Sequence, residues 1–128
     1  VALVAPGDRH MLVRKAGGKF KVELKDGPRV GLHKPAVNVL FDSVAKNVGD
    51  RAIGVILTGM GRDGATGMLA MKQAGAHNIA QNEETCVVYG MPKAAVAQNC
   101  VDHVLPLEKI PVAVSKLMQR GARASAAR

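Results

Sequence analysis

Hydrophobic and polar positions change their spacing several times along the chain, and each change marks an element. His10–Lys15 and Lys19–Leu24 alternate with period two on either side of Ala16-Gly17-Gly18. That pattern predicts a hairpin or small antiparallel meander, with Ala2–Ala5 reading as the end of a further strand. Lys19, Lys21, Glu23 and Lys25 interleave with Phe20, Val22 and Leu24, so one face should be buried and the other wet. Lys25–Lys34, with Asp26-Gly27-Pro28, reads as a loop. After Pro35, a residue suited to a first helical turn, Val37, Leu40, Phe41, Val44, Ala45 and Val48 form a stripe of helical period that Gly49 ends. Asp42 and Lys46 pair on its other side. Ala52–Leu57 is a short apolar run rich in β-branched residues, as in a parallel strand covered on both faces. The period turns helical again over Gly64–Gly75, where Met68, Met71 and Ala74 share a face as flexible core filler. His77–Gln81 predicts a second parallel strand, Met91–Gln98 a short helix, Val101–Leu105 another strand and Leu107–Arg120 a closing amphipathic helix.

This order predicts an α/β fold, a mostly parallel sheet with a small antiparallel hairpin. At 128 residues with 48% apolar content the chain is about one domain. Because it opens on Val1 inside a strand-like run, we expect an incomplete domain over residues 1–120 and a fraying tail over Gly121–Arg128. No apolar run approaches the ~18 residues of a membrane span, so membrane insertion is not expected. Cys86 and Cys100 fit neither a redox motif nor a disulfide framework, and reduced thiols in a cytoplasmic protein are the default.

The net charge of +8 is unevenly placed. Residues 1–34 carry eight Lys/Arg against three acids and residues 109–128 five against none, whereas residues 35–108 carry five against seven. Phe20, Phe41 and Tyr89 are too scattered to stack bases, and no zinc-finger spacing or RNA-recognition motif is present, so nucleic acid is not the expected partner. The basic ends keep the protein soluble or meet an acidic protein.

Chemistry concentrates in Gly54–Ala65, where Asp63 is set in a glycine-rich turn after the first parallel strand. Ligands of open α/β sheets bind beyond the carboxyl ends of the strands, and Thr58–Asp63 falls on that rim. Three readings compete. Gly59-Met60-Gly61-Arg62-Asp63-Gly64 matches the dinucleotide-binding pattern, with Glu83 and Glu84 beyond the next strand, although its carboxylate would repel a pyrophosphate unless Arg62 outweighed it. Alternatively Asp63 caps the following helix, accepting from Ala65 or Thr66 N–H. In the third reading it is the orienting acid of a Ser-His-Asp hydrolase, with turn N–H groups as oxyanion donors.

The third reading lacks companions within the chain. Ser43 and Ser115 sit in predicted helices, Ser125 in the tail, and no nucleophile-elbow pattern occurs. Cys86 has no histidine beside it and is more ordinary as core. His10, His33, His77 and His103 show no metal-ligand spacing, so neither metal nor cofactor is expected.

Ala5-Pro6-Gly7-Asp8-Arg9-His10-Met11, His33-Lys34-Pro35-Ala36-Val37-Asn38-Val39-Leu40-Phe41, Leu57-Thr58-Gly59-Met60-Gly61-Arg62-Asp63-Gly64-Ala65, Ala80-Gln81-Asn82-Glu83 and Gly90-Met91-Pro92 follow in that order. Over roughly Ala2–Leu107 this closely resembles the C-terminal half of the catalytic domain of bacterial chemotaxis protein-glutamate methylesterases. The resemblance implies a doubly wound α/β domain and hydrolysis of glutamyl methyl esters, and in many members deamidation of glutamines, on methyl-accepting chemoreceptors. It implies that Asp63 is the triad acid and that the Met60 N–H contributes to the oxyanion hole. The family's triad serine and histidine lie upstream of Val1, and His10 belongs to a different segment, so these residues alone are expected to be inactive. Its receiver domain, through which a chemotaxis kinase acts, has no counterpart here. Ala36 and Asn38 stand where the family commonly has Ser and Asp. The alternatives are a truncated non-catalytic binding module and a dinucleotide-binding domain.

Overall fold

The strands and α-helices of the computed structural model, which describes residues 1–126, fall where the spacing just read places them, with shifts at several ends. The strands β1 (His10–Ala16) and β2 (Lys19–Lys25) pair antiparallel with Ala16 opposite Lys19, closing through Gly17-Gly18. Ala2–Ala5 forms no strand. Its apolar side chains remain exposed, Val4 at 89%, because no ladder among the described residues runs beside it. The expected buried face of β2 is only half covered: Phe20, Val22 and Leu24 are each about 40% exposed. A two-stranded ribbon offers one strand to its neighbour, and here helix α1 (Val37–Asn47) contacts β1, leaving β2 on the outside. The Arg51 guanidinium covers Phe20 from 5.5 Å.

Helix α1 starts at Val37 rather than at Pro35. It is tied to β1 by a polar contact in an otherwise apolar seam. Buried Ser43 Oγ accepts from Val13 N–H at 2.9 Å and donates to the Leu40 carbonyl at 2.6 Å, while Asn47 Nδ2 donates to the Val13 carbonyl at 2.8 Å.

The parallel sheet has the order β3 (Ile53–Ile56), β4 (His77–Gln81), β5 (His103–Leu105). Helix α2 (Ala65–Gln73) links β3 to β4, and α3 (Met91–Ala97) lies between β4 and β5. Ile56, Met68, Ala80, Ala95 and Cys100 form the core beneath the sheet, with Phe41, Leu69, Met91 and Val101 against it. Met68 and Met71 fill this layer as expected, at 0% and 2% exposure. Fully buried Asn78 joins the layers through Nδ2, which donates to the Met68 and Cys100 carbonyls. The chain closes with α4 (Ile110–Ala126), which begins three residues later than its apolar pattern because Leu107–Lys109 forms a separate turn. Of the expected tail, Gly121–Ala126 belongs to this helix, and residues 127 and 128 lie outside the described residues. Among the described residues no helix is long and apolar enough to cross a membrane.

Candidate active site

The turn that leaves β3 is held from two sides. Thr58 N–H donates to Oε1 of buried Gln81 at 2.8 Å, and Thr58 Oγ1 accepts from Val87 and Val88 N–H at 3.0 and 2.9 Å. Gly59 N–H reaches the Val88 carbonyl at 3.0 Å, and the Gly59 carbonyl accepts from Gly90 and Met91 N–H at 3.1 and 2.9 Å. The segment before α3 is thus latched onto the turn after β3. Met60 stands outside this latch with its side chain 80% exposed, and its N–H has no acceptor among the described residues.

Asp63 does not cap the helix that follows it. Its Oδ2 accepts from Val37 N–H at 2.7 Å and its Oδ1 from Asn38 N–H at 3.1 Å, so the carboxylate caps α1, an element 26 residues upstream. The N-cap position of α1 is Ala36, which has no side-chain acceptor, and Asp63 supplies one from across the helix pair. Helix α2 is capped in turn by α1. Asn38 Oδ1 accepts from Gly64 N–H at 3.1 Å and Gly67 N–H at 2.8 Å.

Two glycines allow this reciprocal arrangement. Gly64, at the N-cap of α2, has φ +97°, and a Cβ there would meet Val37 Cγ1 at 2.9 Å. A Cβ on Gly67 would stand 2.7 Å from Phe41 Cβ and 3.0 Å from Asn38 Oδ1. These glycines let two helices approach each other rather than a ligand. Three of the donors a pyrophosphate would use at the start of α2 are already occupied, since Gly64 and Gly67 N–H serve Asn38 and Ala65 N–H serves the Arg62 carbonyl. That occupancy counts against the dinucleotide reading.

Beside half-buried Asp63 opens a cleft of about 660 Å³ lined by Leu32, His33, Asn38, Arg62, Asp63 and Thr66, among others. Among the described residues no cation pairs with Asp63. Two N–H donors use two of the roughly four lone-pair sites of a carboxylate, which leaves acceptor capacity for a donor entering from the cleft.

Of the other candidates His33 lines the same cleft, and the remaining histidines and the two cysteines are engaged elsewhere. Buried His10 accepts from Ala36 N–H at Nδ1 (3.2 Å) and so donates from Nε2 to the Pro28 carbonyl (2.9 Å), clamping two loops. His77 and His103 stack on each other at 6.4 Å near the amino ends of β4 and β5. Cys100 is fully buried, its thiol directed at the Ala95 carbonyl, and burial pushes its pKa up, the opposite of a nucleophile. Half-buried Cys86 has its sulfur 4.0 Å from the Gln81 carbonyl. Among the described residues no three His, Cys, Asp or Glu side chains cluster as metal ligands. Sequence reasoning gave Gln81 no role, named Thr58 only as part of the rim and Asn38 only as a departure from the family pattern, and so missed how the three build this site. All three lie in the motifs that carry the family resemblance, but periodicity gives them no role.

A parallel sheet with a carboxylate fixed beyond its carboxyl rim defines an α/β protein with a candidate site where ligands of such sheets bind. A family model described as CheB methylesterase matches residues 1–114, and the chain belongs to that family. It is 57% identical over 115 residues to the protein-glutamate methylesterase/protein-glutamine glutaminase 4 of Anaeromyxobacter dehalogenans, covering 90% of this chain and 32% of that protein. The corresponding protein of Ralstonia nicotianae is 53% identical over 121 residues, 94% of this chain and 32% of its own. The crystal structure of the Thermotoga maritima CheB methylesterase catalytic domain superposes with a TM-score of 0.86 at 40% identity, covering 88% of this chain and 60% of that one. The chain therefore spans about a third of the length of these curated relatives.

Proposed function

We propose that this chain contributes the acid of a Ser-His-Asp triad to a protein-glutamate methylesterase, the serine and histidine coming from sequence outside these 128 residues. The observation that carries the reading is the Asp63 carboxylate, fixed by two backbone N–H groups, unpaired with any described cation and open to a cleft. A triad acid must hold an imidazole in one tautomer and offset its charge when it takes the serine proton. A carboxylate neutralised by a neighbouring cation would do this poorly. Asp63 accepts the imidazole N–H at a lone pair its caps leave free. The serine oxygen then attacks the glutamyl carbonyl, methoxide leaves as methanol with the proton carried by the imidazole, and water hydrolyses the acyl-enzyme. With a glutamine side chain the leaving group is ammonia, so one site serves both activities in the relatives' names. The Met60 N–H lies in the same turn, without an acceptor among the described residues, and is our candidate oxyanion donor.

The substrates in this reading are methyl-accepting chemoreceptors, with a cytoplasmic location and control by a chemotaxis kinase through a receiver domain. The basic ends favour acidic receptor segments, so KM should rise with ionic strength.

The direct test measures methanol release from a methylated receptor by the intact protein. Asp63→Asn keeps the shape but loses the charge, and kcat should fall about 10³- to 10⁴-fold, as for the loss of a triad acid elsewhere. Activity retained within tenfold would refute the assignment.

A further inference from the structure

We propose that Asn38 is a positioning residue for Asp63, a role that rests on the triad reading above. The two residues hold each other through backbone rather than directly. Asp63 binds the first two N–H groups of α1, one of them Asn38's own, and the Asn38 carboxamide oxygen binds Gly64 and Gly67 N–H, one residue and one helical turn beyond Asp63. Two helix N-termini are thereby cross-capped in a closed ring. The turn carrying the carboxylate cannot rotate without breaking bonds at both ends. The contact is close, because Gly67 has no room for a Cβ beside the Asn38 Cα and Oδ1.

Only the oxygen of the carboxamide is used: Asn38 Nδ2 has no acceptor among the described residues. An acceptor at this position is therefore the requirement, and Asp satisfies it as well as Asn, the two being equivalent at helix caps. Ala or Leu does not. Without the acceptor, Gly64 and Gly67 N–H lose their partner and the turn before α2 is free to shift. A displacement near 1 Å at a catalytic group costs about 100-fold in rate.

The experiment compares Asn38→Ala, Asn38→Asp and Asp63→Asn in the intact protein, with kcat and KM for receptor demethylation and the folded fraction from thermal melts. For Asn38→Ala, kcat per folded molecule should fall about 10- to 100-fold with KM little changed, since the carboxylate and not the substrate is misplaced. Asn38→Asp should restore kcat to within about threefold of wild type, the acceptor being retained. The proposal is overturned if Asn38→Ala keeps its kcat, if its loss merely tracks the unfolded fraction, or if Asn38→Asp is as impaired as Asn38→Ala. Retained activity in Asp63→Asn would instead overturn the triad reading. A dead Asp63→Asn beside a fully active Asn38→Ala would sink the positioning role alone.

Discussion

Two aspartates at opposite ends of the parallel sheet show how similar bonding serves different ends. Asp102, at the amino edge before β5, accepts from Asn78 N–H at 2.8 Å and pairs with Lys72 Nζ, its side chain 17% exposed. Asp63, at the carboxyl rim after β3, also accepts backbone N–H but has no cation among the described residues and faces a cleft. Both acids tie an element to its neighbour. Asp102 has its charge met inside the protein, and Asp63 leaves its charge for something else. In an α/β sheet the carboxyl rim is where such an unmet charge is useful.

The largest effect expected on this contrast is the split between Asp63→Asn and Asp102→Asn. The first should cost about 10³- to 10⁴-fold in kcat, and the second should leave kcat per folded molecule near wild type. An equal loss in both would erase the distinction. Next is Gly67→Ala, which forces a methyl between α1 and α2 and should destabilise by about 1–3 kcal/mol while lowering kcat, because the cross-capped helices must separate. Unchanged melting would show that the seam yields. Asp102→Ala should cost a similar 1–3 kcal/mol in denaturant titration, chiefly by leaving the buried Asn78 N–H unsatisfied. Smallest is a pH effect. Burial alone would raise the Asp102 pKa, but the Lys72 and Asn78 hydrogen bonds outweigh it and hold the carboxyl below its ordinary 3.8. A lowered folded-state pKa stabilises above the unfolded value and ceases to as pH falls through the folded one. The stability gap between wild type and Asp102→Asn should therefore be full near neutrality and shrink below about pH 4. A gap that widens on acidification would contradict this.

Much of the architecture was legible because it is local. Ala52–Leu57 reads as a parallel strand from β-branched content and gives β3, although at the sheet edge it is covered only in part and Leu57 is 42% exposed. His77–Gln81 matches β4 at both ends, and Met68 and Met71 declare a core face by spacing. Where the strand reading failed, a neighbour was missing. Among the described residues Ala2–Ala5 has strand composition and no ladder to join, and β2 has an alternating pattern and nothing packed fully on it. The candidate site was half legible: Asp63 stands out as an acid in a glycine turn, and the family resemblance singles out Met60. The helix Asp63 caps could not be read, because sequence favours the nearest N-terminus and the structure uses one 26 residues away.

By itself, then, the sequence determined the succession of elements, the apolar faces that would meet and the turn in which the acid had to lie, since propensity and periodicity act over a few residues. Tertiary structure was needed to show that Gly64 and Gly67 serve a helix contact, that Asp63 caps α1 while Asn38 caps α2, and that among the described residues Asp102 meets a cation and Asp63 does not. Hydrogen bonds and charges are satisfied by whatever lies within about 3 Å in space, and the fold alone sets that neighbourhood.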